Sequence, residues 1–217
     1  MYLYPVSKQF DSWIVSQTTV QKYNNIMRRG IYLAFLFSTS MVCGAQAQPA
    51  QTNYEARNLH IGFLSHTPLK EIKAYSTQGT STFNTDKQEI AFSVDISSFV
   101  FFRLLMQEHF NRKYMESNRF PRATFKGRFI GDIDWSRQGT QAVRVQGTLD
   151  IHGKKNKREI DGFLTIRGDE IILESTFEVN TDDHGIAIPP SVSDRISRTI
   201  EVKVRGEYAP YDQFVKK

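Results

Sequence analysis

The sequence predicts an all-β protein, an antiparallel β-barrel with one helical insertion at 101–115. Beyond Gln48, apolar and polar residues alternate with a period of two, which indicates strands with one apolar and one solvated face. Turn sequences recur at short spacing between these strands, which favours antiparallel pairing. Because almost no helix separates the strands, the fold is either a sandwich or a closed barrel.

Five strands can be placed in order from their alternation. The first of them sets Ile90, Phe92, Val94 and Ile96 on one face. The five strands are 88–97, 122–133, 141–151, 170–180 and 198–208, and the turn signals between strands are NTDK, SRQGT, HGKKNK and RGDE. Glycines inside strands suit the strong coiling of a closed sheet, so we prefer the barrel. These glycines are Gly127, Gly147, Gly162 and Gly206.

The helical insertion interrupts this pattern between the first two of the five strands. Leu105, Met106, His109 and Phe110 fall on one stripe of a helix. Pro121 and the polar residues before it end the helix ahead of the next strand. We expect this helix to pack across one open end of the barrel.

The N-terminal segment predicts export. From Met27 the chain reads MRRGIYLAFLFSTSMVCGAQAQ, with two arginines, an apolar stretch too short to span a bilayer, and a small-x-small cleavage pattern ending at Ala47. We therefore expect a signal peptide at 27–47, an upstream extension at 1–26, and a single barrel domain at 48–217. This organisation predicts a periplasmic or secreted protein.

Charge and cysteine content argue against nucleic-acid binding and against thiol chemistry. Residues 1–47 carry four bases and one acid, so their removal lowers the net charge from +5 to +2, too little for a strongly basic nucleic-acid-binding face. The only cysteine, Cys43, lies in the predicted signal peptide, which leaves the mature chain without a disulfide or thiol nucleophile. The basic run at 154–158 fits a solvated turn better than a contact for anionic headgroups or nucleic acid, because Glu159 and Asp161 follow it.

The residue patterns of catalysis and metal binding are missing from the sequence. No two histidines stand at helical ligand spacing, and DDH at 182–184 fits a solvated turn better than a metal site. Ser65 and His66 are neighbours on a strand, so they point to opposite faces and cannot act as a nucleophile and its base. We expect no catalysis, no metal and no cofactor.

Phenylalanine is the positive feature of the chain, with thirteen after residue 47. An aromatic-lined barrel is either packed solid or hollow, and a hollow one would hold an apolar ligand. We predict a hollow barrel that binds a long apolar molecule; the alternative is a filled barrel that acts through its surface in envelope interactions or stress. The candidate ligand-binding residues are Phe92, Val94, Phe101, Met106, Phe110, Phe125, Phe129, Val145, Leu149, Phe163 and Phe177.

Four stretches resemble one family when they are read in chain order. They are HIGFLSHTPLKEIKAY, EHFNRKYMESNRFPRATFKG, VQGTLDIHGKKNKREI and HGIAIPPSVSDRISRTIEVKV, which begin at His60, Glu108, Val145 and His184. The second carries the family's helix followed by an aromatic-proline pair and a strand. The chain departs from the family at 153–157, where GKKNK sets two lysines at positions usually held by valine and threonine. On these motifs the chain resembles the YceI-like family.

The resemblance covers roughly residues 54–208 and carries expectations for fold and ligand. It implies a lipocalin-like barrel of about eight strands with an elongated apolar pocket, in a periplasmic protein. Characterised members hold polyisoprenoid chains, so the expected partner is a polyisoprenoid, a quinone or another lipid. We expect neither a nucleic-acid partner nor stable insertion into a membrane, and a homodimer stays open.

Overall fold

The structure, a computed structural model, describes residues 52–211. The predicted upstream extension 1–26 and signal peptide 27–47 lie outside this range. The strands are β1 (Asn53–Thr67), β2 (Lys70–Asn84), β3 (Glu89–Asp95), β4 (Val100–Phe101), β5 (Arg122–Ile130), β6 (Gly139–Ile151), β7 (Lys154–Arg167), β8 (Glu170–Asn180) and β9 (Thr199–Pro210). One short helix, α1 (Leu104–His109), continues into a π-helical turn, Phe110–Tyr114.

Eight of the strands form a closed antiparallel barrel. Hydrogen bonding runs in the order β1-β9-β8-β7-β6-β5-β3-β2, and β2 pairs again with β1 to complete the ring. The two-residue strand β4 lies outside this order and pairs with β2, where Val100 faces Tyr75. The predicted barrel is confirmed, and the sandwich alternative is wrong.

Glycine allows two of the strands to approach closely. Gly127 of β5 and Gly147 of β6 are direct partners across the ladder. A Cβ atom on Gly147 would lie 2.5 Å from the Lys126 carbonyl oxygen and 2.6 Å from the Phe125 ring. The missing side chains therefore leave the space into which the Phe125 ring packs.

The helical insertion predicted at 101–115 is present, but helical geometry starts three residues later. Phe101 lies in β4 opposite Ala74, so α1 begins only at Leu104. Met106 and Phe110 pack against the apolar interior of the barrel, whereas Leu105 of the predicted stripe is exposed. α1 has fewer than two turns, and none of its residues is fully buried.

The two ends of the barrel differ in how they are covered. One end, which we call the closed end, carries the connections 85–88, 131–138 and 168–169. The other, which we call the mouth end, carries the connections 68–69, 96–121, 152–153 and 181–198. Long insertions therefore concentrate at the mouth end.

Aromatic side chains fill the closed end. The Phe83 ring lies 4.9 Å from Tyr54, 5.2 Å from Trp135 and 4.8 Å from Tyr208, measured between centroids. Phe129 completes the cluster at 5.6 Å from Trp135. The buried Tyr208 hydroxyl donates a hydrogen bond to Ser81 Oγ at 2.7 Å. This end of the barrel is a packed core.

One ladder of the barrel stops halfway along its strands. β7 and β8 pair from Arg167↔Glu170 to Gly162↔Ser175. Nearer the mouth end, Lys154–Asp161 pairs only with β6, and Thr176–Asn180 pairs only with β9. We call this unpaired stretch the β7–β8 seam.

The connection 181–198 contacts the start of β7 at the mouth end of the seam. The Asn156 side-chain amide donates to the Asp183 carbonyl oxygen at 2.9 Å. His184 is fully buried, with Nδ1 3.2 Å from the Lys154 carbonyl oxygen and 3.3 Å from that of Ile151. No helix within residues 52–211 has the length and apolar character needed to cross a membrane.

Candidate functional site

An apolar cavity occupies the part of the barrel between the mouth end and the closed-end core. Its volume is about 430 Å³, within the range of about 300–1,000 Å³ typical of small-molecule sites. Inward side chains of the eight barrel strands form its walls because each strand alternates between the interior and the solvent. α1 and the connection 181–198 line the cavity at the mouth end.

Four phenylalanines form a cluster where α1 meets the barrel. Phe110, the residue that follows α1, lies 5.4 Å from Phe63, 5.8 Å from Phe99 and 5.0 Å from Phe101. The inward face of β1 supplies Phe63, and β4 places Phe101 on the same side as the buried Ala74. The cluster attaches the short helix to the barrel and forms one side of the cavity opening.

Most of the predicted ligand-binding residues lie around the cavity. Nine of them line it: Phe92, Val94, Phe101, Met106, Phe110, Phe125, Val145, Leu149 and Phe177. Phe129 is also buried, but it packs in the closed-end cluster against Phe83 and Trp135. Phe129 therefore belongs to the floor below the cavity.

The inward orientation predicted for Phe163 is wrong. Its side chain is 58% exposed on the outer wall, between the inward positions Gly162 and Leu164. The sequence GFLTI carries apolar residues at consecutive positions, so alternation alone leaves two registers open. The buried Leu164 and Ile166 set the register and turn Phe163 outward.

Several lining residues were absent from the sequence-based set. Phe63, Phe99 and Val202 face the cavity from β1, the segment before β4, and β9. Ile186 and Ile188 reach it from the connection 181–198. Alternation around Phe63 and Val202 could have indicated those positions, whereas a loop has no periodicity to reveal its inward side chains.

Polar groups gather at the opening of the cavity. Lys70, His109, Tyr114 and Arg195 contribute to its lining there. Ser65 is buried near them, and its Oγ accepts a hydrogen bond from the Ser197 backbone N–H at 2.9 Å. An apolar interior with a polar opening suits a ligand that is largely or wholly apolar.

The described polar residues that were weighed as catalytic or metal-binding candidates lie apart from one another or bond other groups. His66 is exposed on the face opposite to the buried Ser65, so the two do not form a catalytic pair. His184 of the DDH stretch bonds backbone carbonyl groups, and residues 52–211 contain no group of three His, Cys, Asp or Glu side chains placed to hold a metal ion. Arg144 pairs with Asp161 and holds the pKa of that exposed carboxyl below its usual range.

Comparison with known proteins relates this barrel to others. The family described as the YceI-like domain matches residues 46–208. A polyisoprenoid-binding domain from Saccharophagus degradans, implicated in plant cell wall breakdown, aligns with a TM-score of 0.62 at 15% identity, over 72% of this chain and 98% of its own. BcnA from Burkholderia cenocepacia aligns with a TM-score of 0.60 at 12% identity, over 70% of this chain and 96% of its own. No curated protein sequence matches the chain.

Proposed function

We propose, on the premise that this chain belongs to the family of YceI-like domains, that its barrel binds one long apolar molecule without catalysing a reaction. The observation that carries the proposal is the cavity itself, which lies above a packed aromatic floor and has almost wholly apolar walls. Each 100 Å² of apolar ligand surface buried there contributes about 2.5 kcal/mol before the costs of ordering the ligand are subtracted.

A polyisoprenoid, a quinone or another chain lipid is the proposed ligand class. A related barrel with the same fold is a polyisoprenoid-binding domain, which supports a chain-like apolar ligand. The nine candidate residues that line the cavity are proposed to contact the ligand, together with the phenylalanine cluster at the opening. A long chain suits a cavity that extends from the mouth end to the level of Val143 of β6.

The proposed location is the periplasm or the exterior of the cell. The charged, apolar and small-residue pattern of 27–47 supports export, with cleavage near Ala47 and an upstream extension at 1–26. Edman sequencing of the exported protein should begin near Gln48. A mature terminus upstream of Met27 would contradict this proposal.

Native mass spectrometry of the protein purified from its own envelope tests ligand binding. We expect a mass above that of the mature chain, and release of an isoprenoid or another chain lipid on denaturation. An unliganded mass that stays unchanged after incubation with polyisoprenoids would overturn the proposal and favour a protein that acts through its surface.

Filling the cavity supplies a matched test. Val145 is buried and faces the cavity, so V145F should reduce the bound fraction of a polyisoprenoid at least about tenfold by occupying its space. I130F adds the same ring at an exposed position and should leave binding unchanged. Equal binding by the two variants, both folded by circular dichroism, would place the ligand outside the cavity.

A further inference from the structure

Exposed apolar side chains form a rim at the mouth end. The rim consists of Leu69, Phe102, Leu104 and Leu105, whose side chains are 71%, 97%, 83% and 63% exposed. Such large side chains are normally buried, and their grouping at one end of a molecule marks an interaction surface. None of the four lines the cavity, so ligand binding does not account for their exposure.

The strand register brings the members of the rim to the same edge. β4 runs antiparallel to β2, with Phe101 opposite Ala74. The residues after Phe101 therefore continue along β2 toward the β1–β2 turn, which carries Leu69. The rim follows the edge of the cavity opening. Lys70, which follows Leu69 in sequence, lines the cavity, and so does Met106, which follows Leu105.

Charge is distributed unequally along the barrel axis. The mouth-end connections, each taken with one adjoining strand residue on either side, contain nine basic and six acidic residues, a net charge of +3. Counted in the same way, the closed-end connections contain three basic and six acidic residues, a net charge of −3. The mouth end is therefore the positive pole of the molecule.

Several of the mouth-end cations have no acidic partner. Within residues 52–211, Arg103, Lys113, Lys155 and Lys157 are exposed and take part in no ion pair. Acids close to the rim are already neutralised, because Glu71 pairs with Lys73 and Glu108 pairs with Arg112. Lys155 and Lys157 are the second and fourth residues of β7, close to the β6–β7 turn at the mouth end.

We propose that the mouth end docks reversibly on the surface of an anionic phospholipid bilayer. The rim enters the boundary between headgroups and acyl chains, while the unpaired lysines and arginines contact anionic headgroups. Apolar side chains next to cations are the combination that peripheral membrane proteins use, and the negative closed end points away from the bilayer. The cavity then opens directly toward the lipid phase, so an apolar molecule passes between bilayer and barrel without crossing water.

Vesicle flotation tests the docking directly. Vesicles of phosphatidylcholine with phosphatidylglycerol, free of any isoprenoid, are compared with vesicles of phosphatidylcholine alone. Because no cavity ligand is present, the result is independent of the proposed ligand binding. We expect association with the anionic vesicles that is at least about tenfold tighter than with the neutral ones, and that falls as salt is raised.

Paired variants separate the apolar and the charged contributions. F102S/L104S should weaken association at least about tenfold, whereas F163S removes an exposed ring from the outer wall and should have no effect. K155E/K157E should weaken association about tenfold or more, whereas K87E/R167E makes the same charge change at the closed end and should not.

A fluorescence measurement reports the orientation of the bound protein. After the fluorescence of the parent protein is subtracted, we expect brominated lipid to quench the added tryptophan of F102W. The added tryptophan of I130W lies toward the closed end, so its fluorescence should not be quenched. Lack of binding by the parent protein, equal binding to neutral vesicles, or quenching of I130W alone overturns the proposal. Concentration-dependent dimers that F102S/L104S abolishes, with no vesicle binding, would assign the rim to a second copy of the chain.

Discussion

At the scale of single residues, Tyr208 makes both an aromatic contact and a buried hydrogen bond in the closed-end core. Its ring packs 4.8 Å from Phe83, and its hydroxyl donates to Ser81 Oγ, which donates in turn to the Ala91 carbonyl oxygen at 2.9 Å. A buried hydroxyl needs such a partner, because an unpaired one would cost the full penalty of leaving water. Burial raises the pKa of Tyr208 above its usual range.

We expect Y208F to lower the free energy of unfolding by about 1 kcal/mol at neutral pH, since it removes one buried hydrogen bond. The parent protein should lose further stability above about pH 10, where the unfolded tyrosine ionises and the folded one does not. This loss of unfolding free energy grows by at most about 1.4 kcal/mol per pH unit, and it should be absent from Y208F, which has no hydroxyl to ionise at this position.

Urea unfolding at about pH 8 and pH 11 measures both effects. Y211F serves as the control, because Tyr211 is exposed and the same hydroxyl is removed without a buried partner. If the parent protein and Y208F lost stability equally between the two pH values, the alkaline effect assigned to Tyr208 would be wrong.

At the scale of strands and helices, alternation predicted the sheet well because one face of each strand is buried. Phe125 and Val145 face inward as expected. Alternation could not predict Phe163, which stands in a run of consecutive apolar residues, and it could not predict β4, whose two residues are too few to show a period. Ile186 and Ile188 depend on a tertiary contact with Ile96 and Met115, which no local pattern encodes.

The contact between β5 and β6 gives a prediction at this scale. We expect G147A to lower the free energy of unfolding by about 1–3 kcal/mol, because the new Cβ overlaps the Lys126 carbonyl and the Phe125 ring. In G62A the nearest atom to the new Cβ is 3.8 Å away, so stability should be unchanged or slightly higher. Chemical unfolding of both variants checks the pair, and equal losses would contradict the packing described for Gly147.

At the scale of the whole molecule, the barrel divides into a packed half and a hollow half. Aromatic stacking fills the closed end, whereas the mouth half encloses the cavity and loses the β7–β8 ladder beyond Gly162↔Ser175. Ile160 and Phe177 line the cavity from the two sides of this seam. The half that holds the cavity is therefore the half in which β7 and β8 do not pair with each other.

This division predicts unequal local stability along β7 and β8. Backbone amides of Lys154–Asp161 and Thr176–Asn180 that point across the seam should exchange with solvent at least about tenfold faster than those of the paired stretch, since opening them breaks no ladder hydrogen bond. Amide exchange followed by NMR on the unliganded protein measures the difference, and the amides of β6 that bond β7 serve as the internal reference. Equal protection along β8 would show that the seam is closed in solution. Fast exchange that slows when an apolar ligand is added would show that the ligand holds the two edges of the seam in place, because it contacts Ile160 and Phe177 together.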